Sequence, residues 1–128
     1  MSINQLIFIS IISIAAIGCS NTVHVNGKVT LEDGTPVTKG TINFNNEGYE
    51  ARGIIKPDGT YQVATTASGQ GLQKGNYRVF FSGTQNVDEK LKPIPIIDQR
   101  YDSVDTTDLT ISIQGKTNFS PKLKPHKK

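Results

Sequence analysis

Cys19 is the only cysteine in the 128-residue chain, and it stands directly after Ala16-Ile17-Gly18. A thiolate can attack an electrophile, hold a metal or pair with another thiol. With no second cysteine, an intramolecular disulfide is excluded. The two histidines, His24 and His126, sit in no Ser-His-Asp or metal-ligand spacing. His24 falls on the polar side of an alternating segment and reads as a solvated surface residue. Asp98, Asp102, Asp105 and Asp108 form a loose acidic run. Calcium needs a cage of several carboxylate and carbonyl oxygens, and this spacing matches no defined calcium loop, so the run reads as solvated. Sugar rings stack on exposed aromatics, and Tyr49, Phe80 and Tyr101 are the candidates, Tyr49 and Tyr101 foremost. Asn118-Phe119-Ser120 is formally a glycosylation sequon. The chain shows no phosphate loop, so no catalytic residue, metal or cofactor is expected.

The cysteine takes its meaning from what precedes it. From Ile3 to Ala16 there is no charged residue, and Leu6, Ile7, Phe8, Ile9, Ile11, Ile12 and Ile14 dominate. A membrane-spanning helix needs about 20 apolar residues. This run is shorter and stops at small residues, the layout of a cleaved secretory signal helix over residues 1–18. Ala16-Ile17-Gly18-Cys19 resembles the lipobox of bacterial lipoproteins. The resemblance implies cleavage between Gly18 and Cys19, a diacylglycerol thioether on Cys19 and an acyl chain such as palmitate on its amino group. Each buried CH₂ contributes about 0.8 kcal/mol, so several chains anchor stably where one does not. The alternative reading makes Cys19 an ordinary buried thiol ending a membrane helix. Acylation has the further merit of removing a free thiol from an oxidising compartment. Ser20 is not an acidic inner-membrane retention residue. In a cell with two membranes, the resemblance therefore implies the outer one, facing the periplasm.

Removing residues 1–18 leaves 110 residues, the size of one domain with a core of its own. The net charge of +3 is unevenly spread. Residues 115–128 carry Lys116, Lys122, Lys124, Lys127 and Lys128 and no acid, while the rest holds nine basic residues against eleven acidic ones. Such a basic tail reads as a solvated, disordered end. The other reading puts it against anionic lipid headgroups or polysaccharide. Nucleic acid is not an expected partner of an exported, anchored protein.

The remaining elements must position these groups, and their period is two. Val23, Val25, Val29 and Leu31 alternate with His24, Asn26, Lys28 and Thr30, with Gly27 on the apolar side. Gly27 therefore marks a bulge or a close approach. Ile42 and Phe44 alternate with Thr41 and Asn43, and Ala51 to Lys56 leads into the tight turn Lys56-Pro57-Asp58-Gly59-Thr60. Tyr61, Val63 and Thr65 share one face, as do Tyr77, Val79 and Phe81, and later Leu109, Ile111 and Ile113. Pro93 and Pro95 flank Ile94 and mark an edge or extended crossing. Phe119 adds a last pairing. No segment after residue 22 has a helical period. An all-β, seven-stranded antiparallel sandwich follows from strands and turns at this spacing.

Val25-Asn26-Gly27-Lys28-Val29, Asp33-Gly34-Thr35-Pro36-Val37, Gly40-Thr41-Ile42-Asn43-Phe44, Pro57-Asp58-Gly59-Thr60-Tyr61 and Gly75-Asn76-Tyr77-Arg78-Val79 occur in that order. Together they resemble the carboxypeptidase regulatory-like, transthyretin-like domain. The resemblance implies a prealbumin-like Greek-key sandwich over residues 23–114, with 19–22 as a lipidated tether and 115–128 as a final strand and basic tail. It implies no catalytic residues. One enzymatic branch, the hydroxyisourate hydrolases, ends in Tyr-Arg-Gly-Ser, whereas this chain ends Lys-Pro-His-Lys-Lys.

The expected function is that of a non-enzymatic envelope lipoprotein, a structural or protein-interaction module held to membrane lipid through Cys19. The alternative is a small-ligand or carbohydrate-binding module, its partner a glycan. The expected contact surfaces are the Gly69–Gly75 loop and the 84–106 region, because loops carry function more often than strands.

Overall fold

Alternating β-branched and aromatic residues, cut by turns at Asp33-Gly34, Asp58-Gly59 and Ser82-Gly83, leave little room for helices. A computed structural model describes residues 22–47, 49–65 and 72–127. The signal segment 1–18, Cys19 with most of its tether, and residues 69–71 of the expected contact loop lie outside them.

The early strands are β1 (Thr22–Val23), β2 (Val25–Lys28), β3 (Thr30–Leu31), β4 (Thr41–Asn46), β5 (Tyr49–Ile54) and β6 (Thr60–Thr65). Then come β7 (Leu72–Gln73), β8 (Gly75–Ser82), β9 (Gln85–Val87) and β10 (Pro93–Pro95). A 3-10 turn over Gln99–Asp102 precedes β11 (Leu109–Ile113), β12 (Thr117–Asn118) and β13 (Lys122–Leu123). The described residues contain no α-helix.

Seven strands form one sheet in the order β11-β8-β4-β5-β6-β2-β12. Its two edge strands, β11 and β12, are consecutive in the chain and joined only by residues 114–116. So short a link reaches on the order of 10 Å. The sheet must therefore curl until its edges almost meet, and it nearly closes into a barrel.

The expected all-antiparallel arrangement needs correction, because the sheet is mixed. β12 runs parallel to β2, with Thr117 opposite Val25, and β13 runs parallel to β3, with Leu123 opposite Leu31. The cause is the short link: the chain reverses after β11 and returns along the free edge of β2 in the direction β2 itself takes.

The same pairing corrects the expectation of a free basic tail. Leu123 is fully buried, Pro125 bridges Ile97, and the His126 N–H donates to the Ile96 carbonyl at 3.1 Å. Two tyrosines fasten this segment. The buried Tyr61 hydroxyl donates to the Phe119 carbonyl, and the Tyr101 hydroxyl accepts from the Lys124 N–H at 3.2 Å. Gly27 permits the crossing, since a Cβ there would overlap the Phe119 carbonyl. That is the close approach expected at this glycine.

Phe44 sits mid-core, its ring centroid 6.4 Å from those of Tyr61 and Tyr77 and 6.2 Å from Phe119. Around it pack Val25, Val63, Val79 and Ile113, the inward members of their alternations. Each fully buried aliphatic side chain contributes roughly 1.5–3 kcal/mol relative to exposure.

Candidate functional site

β8 sets the axis of the site. At its start, β7 and β1 lie alongside, with Thr22 opposite Gln73. At its other end, Ser82 is opposite Thr41, which is opposite Ile54. Eight extended residues span roughly 26 Å, the run of β8 from the β7 side to the Ser82 end.

β9 and β10 leave the sheet at the Ser82 end as a separate two-stranded hairpin, with Asn86 opposite Ile94. Its turn is built by Asp88. The Asp88 N–H donates to the Lys92 carbonyl and the Leu91 N–H to the Asp88 carbonyl, both at 2.9 Å. The Asp88 carboxylate accepts from the Lys90 and Lys92 N–H groups at 2.8 and 2.9 Å. This geometry drives Leu91 into the left-handed region at φ 64°. Glycine is the residue that takes this position without strain, and a side chain there costs about 1–3 kcal/mol. Yet the position holds a leucine that is 80% exposed.

Val87 and Ile94 on the same hairpin are 58% and 45% exposed, and Ile54 at the Ser82 end is 73% exposed. Among the described residues, these four are the large exposed hydrophobics, and all lie at the end opposite Thr22. Ile94 is opposite Asn86, so Val87 and Ile94 point to opposite faces of the hairpin, and the four share an end of the molecule without forming one patch. The hairpin root is firm: the Thr84 carbonyl accepts from Ile96 N–H at 3.1 Å, and both Thr84 and Ile97 are buried.

The sequence-derived aromatic candidates are not brought together. Tyr101 is 3% exposed, its ring edge-on to Phe81 at 6.4 Å, so its face is closed to a sugar ring. Tyr49 is half-buried at the other end of the sheet. Its ring lies 6.1 Å from Tyr77, and its hydroxyl accepts from the Gln73 N–H at 3.3 Å. Phe80 is also half-buried. His24 is exposed, as its place on the polar side required, and His126 is half-exposed on the C-terminal segment.

The acidic run folds around Arg100, not around an ion-sized hole. Arg100 pairs with Asp98 at 3.3 Å and with Asp108 at 3.2 Å. The Arg100 N–H donates to the Asp98 carboxylate at 2.9 Å and, with the guanidinium, holds that carboxyl below its ordinary range. Burial pushes Asp102 the other way. No group of three His, Cys, Asp or Glu among the described residues is placed to hold a metal.

A second surface is polar. Asn26, Lys28, Lys56, Gln62, Asn118 and Ser120 line a shallow groove of about 320 Å³ on the outer face of β12, β2 and β6. The Asn118 amide donates to the Asn26 side chain at 3.2 Å, and Ser120 donates to Asn118 at 3.0 Å.

The 84–106 region was expected to be a contact surface, and its exposed apolar hairpin was not foreseen. The available signal was Val87 and Leu91 bracketing the charged turn Asp88-Glu89-Lys90, masked because the turn lacks the glycine that would announce it. Comparison with protein-family models, curated proteins and solved structures finds no match.

Proposed function

We propose that the chain is an exported lipoprotein of the cell envelope, held through acylated Cys19 and acting without catalysis as a protein-interaction module. Its β-domain is read as a carboxypeptidase regulatory-like, prealbumin-like Greek-key sandwich whose edges are drawn together by the C-terminal segment. The observation that carries the interaction role is the gathering of Ile54, Val87, Leu91 and Ile94 at one end. Thr22, three residues past Cys19, belongs to the opposite end. Three residues reach about 10 Å, so anchoring at Cys19 brings the Thr22 end to the bilayer and turns the apolar end away from it. The outer membrane, periplasmic face, is the location that Ser20 after Cys19 favours.

The test is the intact mass and detergent-phase partitioning of the chain made in a bacterial host, beside Cys19→Ser. The reading expects an N-terminal Cys19 with acyl chains in the detergent phase, and a Cys19→Ser chain that stays uncleaved and unacylated. A wild-type chain bearing residues 1–18, or cut elsewhere without lipid, overturns it.

The polar groove supports a second reading, a module for small polar ligands or carbohydrate. Saturating binding on a glycan array, lost in Lys28→Ala or Asn118→Ala, would favour it. Tyr49→Ala tests the remaining aromatic candidate.

A further inference from the structure

The hydrogen bonds of the hairpin fix which backbone groups face outward. Asp88 bonds to Lys92 and Thr84 to Ile96 across the hairpin. Antiparallel ladders alternate, so in the register of β9 with β10 the Asn86–Ile94 pair bonds inward and the pairs Gln85–Pro95 and Val87–Pro93 do not. The N–H and C=O groups of Gln85 and Val87 therefore point away from β10. Both residues are exposed, and no other strand pairs with β9 among the described residues. The outer edge of β10 differs: its outward positions are Pro93 and Pro95, which have no N–H. The hairpin thus has one open edge and one blunted edge.

We infer that the open edge of β9 pairs antiparallel with β9 of a second copy, about a two-fold axis at Asn86. The inference rests on the interaction-module reading and names its partner. The edge is self-complementary. Gln85 of each copy meets Val87 of the other in two bonded pairs, giving four cross-copy hydrogen bonds. The two Asn86 side chains meet at the axis, and the two Val87 side chains become diagonal neighbours on one face. Charge permits the approach, because the turn carries Asp88 and Glu89 beside Lys90 and Lys92 and sums to zero. Antiparallel pairing carries the turn of one copy past Thr84 of the other. The resulting four-stranded sheet ends on both sides at Pro93 and Pro95. Assembly therefore stops at two copies and does not run on into a fibre.

The interface is small, so the dimer is weak and concentration-dependent. Sedimentation velocity on the full chain in detergent, over a concentration series, reads it. Val87→Pro removes an outward N–H and leaves the inward ladder intact. It is expected to weaken dimerisation roughly tenfold or more, since two of four cross-copy bonds are lost, with thermal unfolding unchanged. In a parallel arm, Asn86→Cys is oxidised beside Asn76→Cys, whose site lies at the other end of β8. Cross-strand Cα atoms at an unbonded pair lie about 4.5 Å apart, within disulfide reach. Asn86→Cys should give a covalent dimer and Asn76→Cys only background. A chain that stays monomeric, a dimer indifferent to Val87→Pro, or equal crosslinking of both variants overturns the inference. Intact mass on the same preparation reports the lipid anchor independently, so failure of one does not pass for failure of the other.

Discussion

The hairpin at residues 84–96 leaves the main sheet, the C-terminal segment at 115–127 completes its edge through β12, and both carry lysines. They touch at Ile96, whose N–H serves the hairpin root while its carbonyl accepts from His126. Beyond that point they are opposites. The hairpin has a regular ladder and displays its large apolar side chains. The C-terminal segment has two strands of two residues each, yet it buries Leu123 completely and is fastened by Tyr61 and Tyr101. Regular hydrogen bonding does not by itself make a region part of the core. What it buries decides that.

Truncation should separate the two most sharply. Leu123→Ala is expected to cost about 3 kcal/mol by denaturant unfolding, because it empties a closed site. Leu91→Ala is expected to stay within about 0.5 kcal/mol of wild type. Similar costs at both positions would abolish the distinction.

A subtler probe removes only the fastening. Tyr61→Phe keeps the ring against Phe44 and deletes the bond to the Phe119 carbonyl, for an expected loss of about 1–2 kcal/mol. Burial raises the Tyr61 phenol above its ordinary range, and burial with the neighbouring Tyr49 pushes Tyr77 up to about 12. A raised folded-state value means this stability is present below about pH 10 and is lost as pH climbs through the folded value. Stability should thus fall from about pH 10 towards pH 12, with Tyr61→Phe flattening the fall. Unchanged alkaline unfolding in that variant would remove Tyr61 as the cause.

The smallest effect has the opposite sign. Leu91→Gly relieves the left-handed strain at φ 64° and should stabilise the chain by about 0.5–1 kcal/mol. A stabilising substitution that deletes an exposed apolar side chain identifies that side chain as kept at a cost. A destabilising result would mean that Leu91 packs within the fold.

Sequence reading located the strand faces well in β5 and β8, where inward and outward residues alternate with period two, but not in β4, where Asn43 is buried between Ile42 and Phe44 with its amide donating to the Phe80 carbonyl and the Ser82 hydroxyl. It placed the close approach at Gly27 and the edge at Pro93–Pro95 for reasons the structure repeats. It foresaw a final strand near Phe119 but took the lysine-bearing segment that follows as a free tail. Lys116, Lys122, Lys124 and Lys127 suggested solvent, and Leu123 alone gave no period to oppose them. Parallel pairing also leaves no local signature, since β2 and β12 lie 92 residues apart where Asn26 meets Asn118. Tyr101 failed as an exposed aromatic because its surroundings are set by Phe81 and Lys124, both distant in sequence.

That distance bears on how the chain becomes a domain. Val25 is among the first residues to take its place in the sheet and Thr117 among the last, yet they are opposite each other. A chain delivered from its N-terminus has nothing to lay along the outer side of β2 until about residue 117 arrives, and nothing to fill the Leu123 site until later still. Folding dominated by such distant pairings is slow. The nearly finished sheet therefore stays open along the outer side of β2 until β12 arrives to cover it.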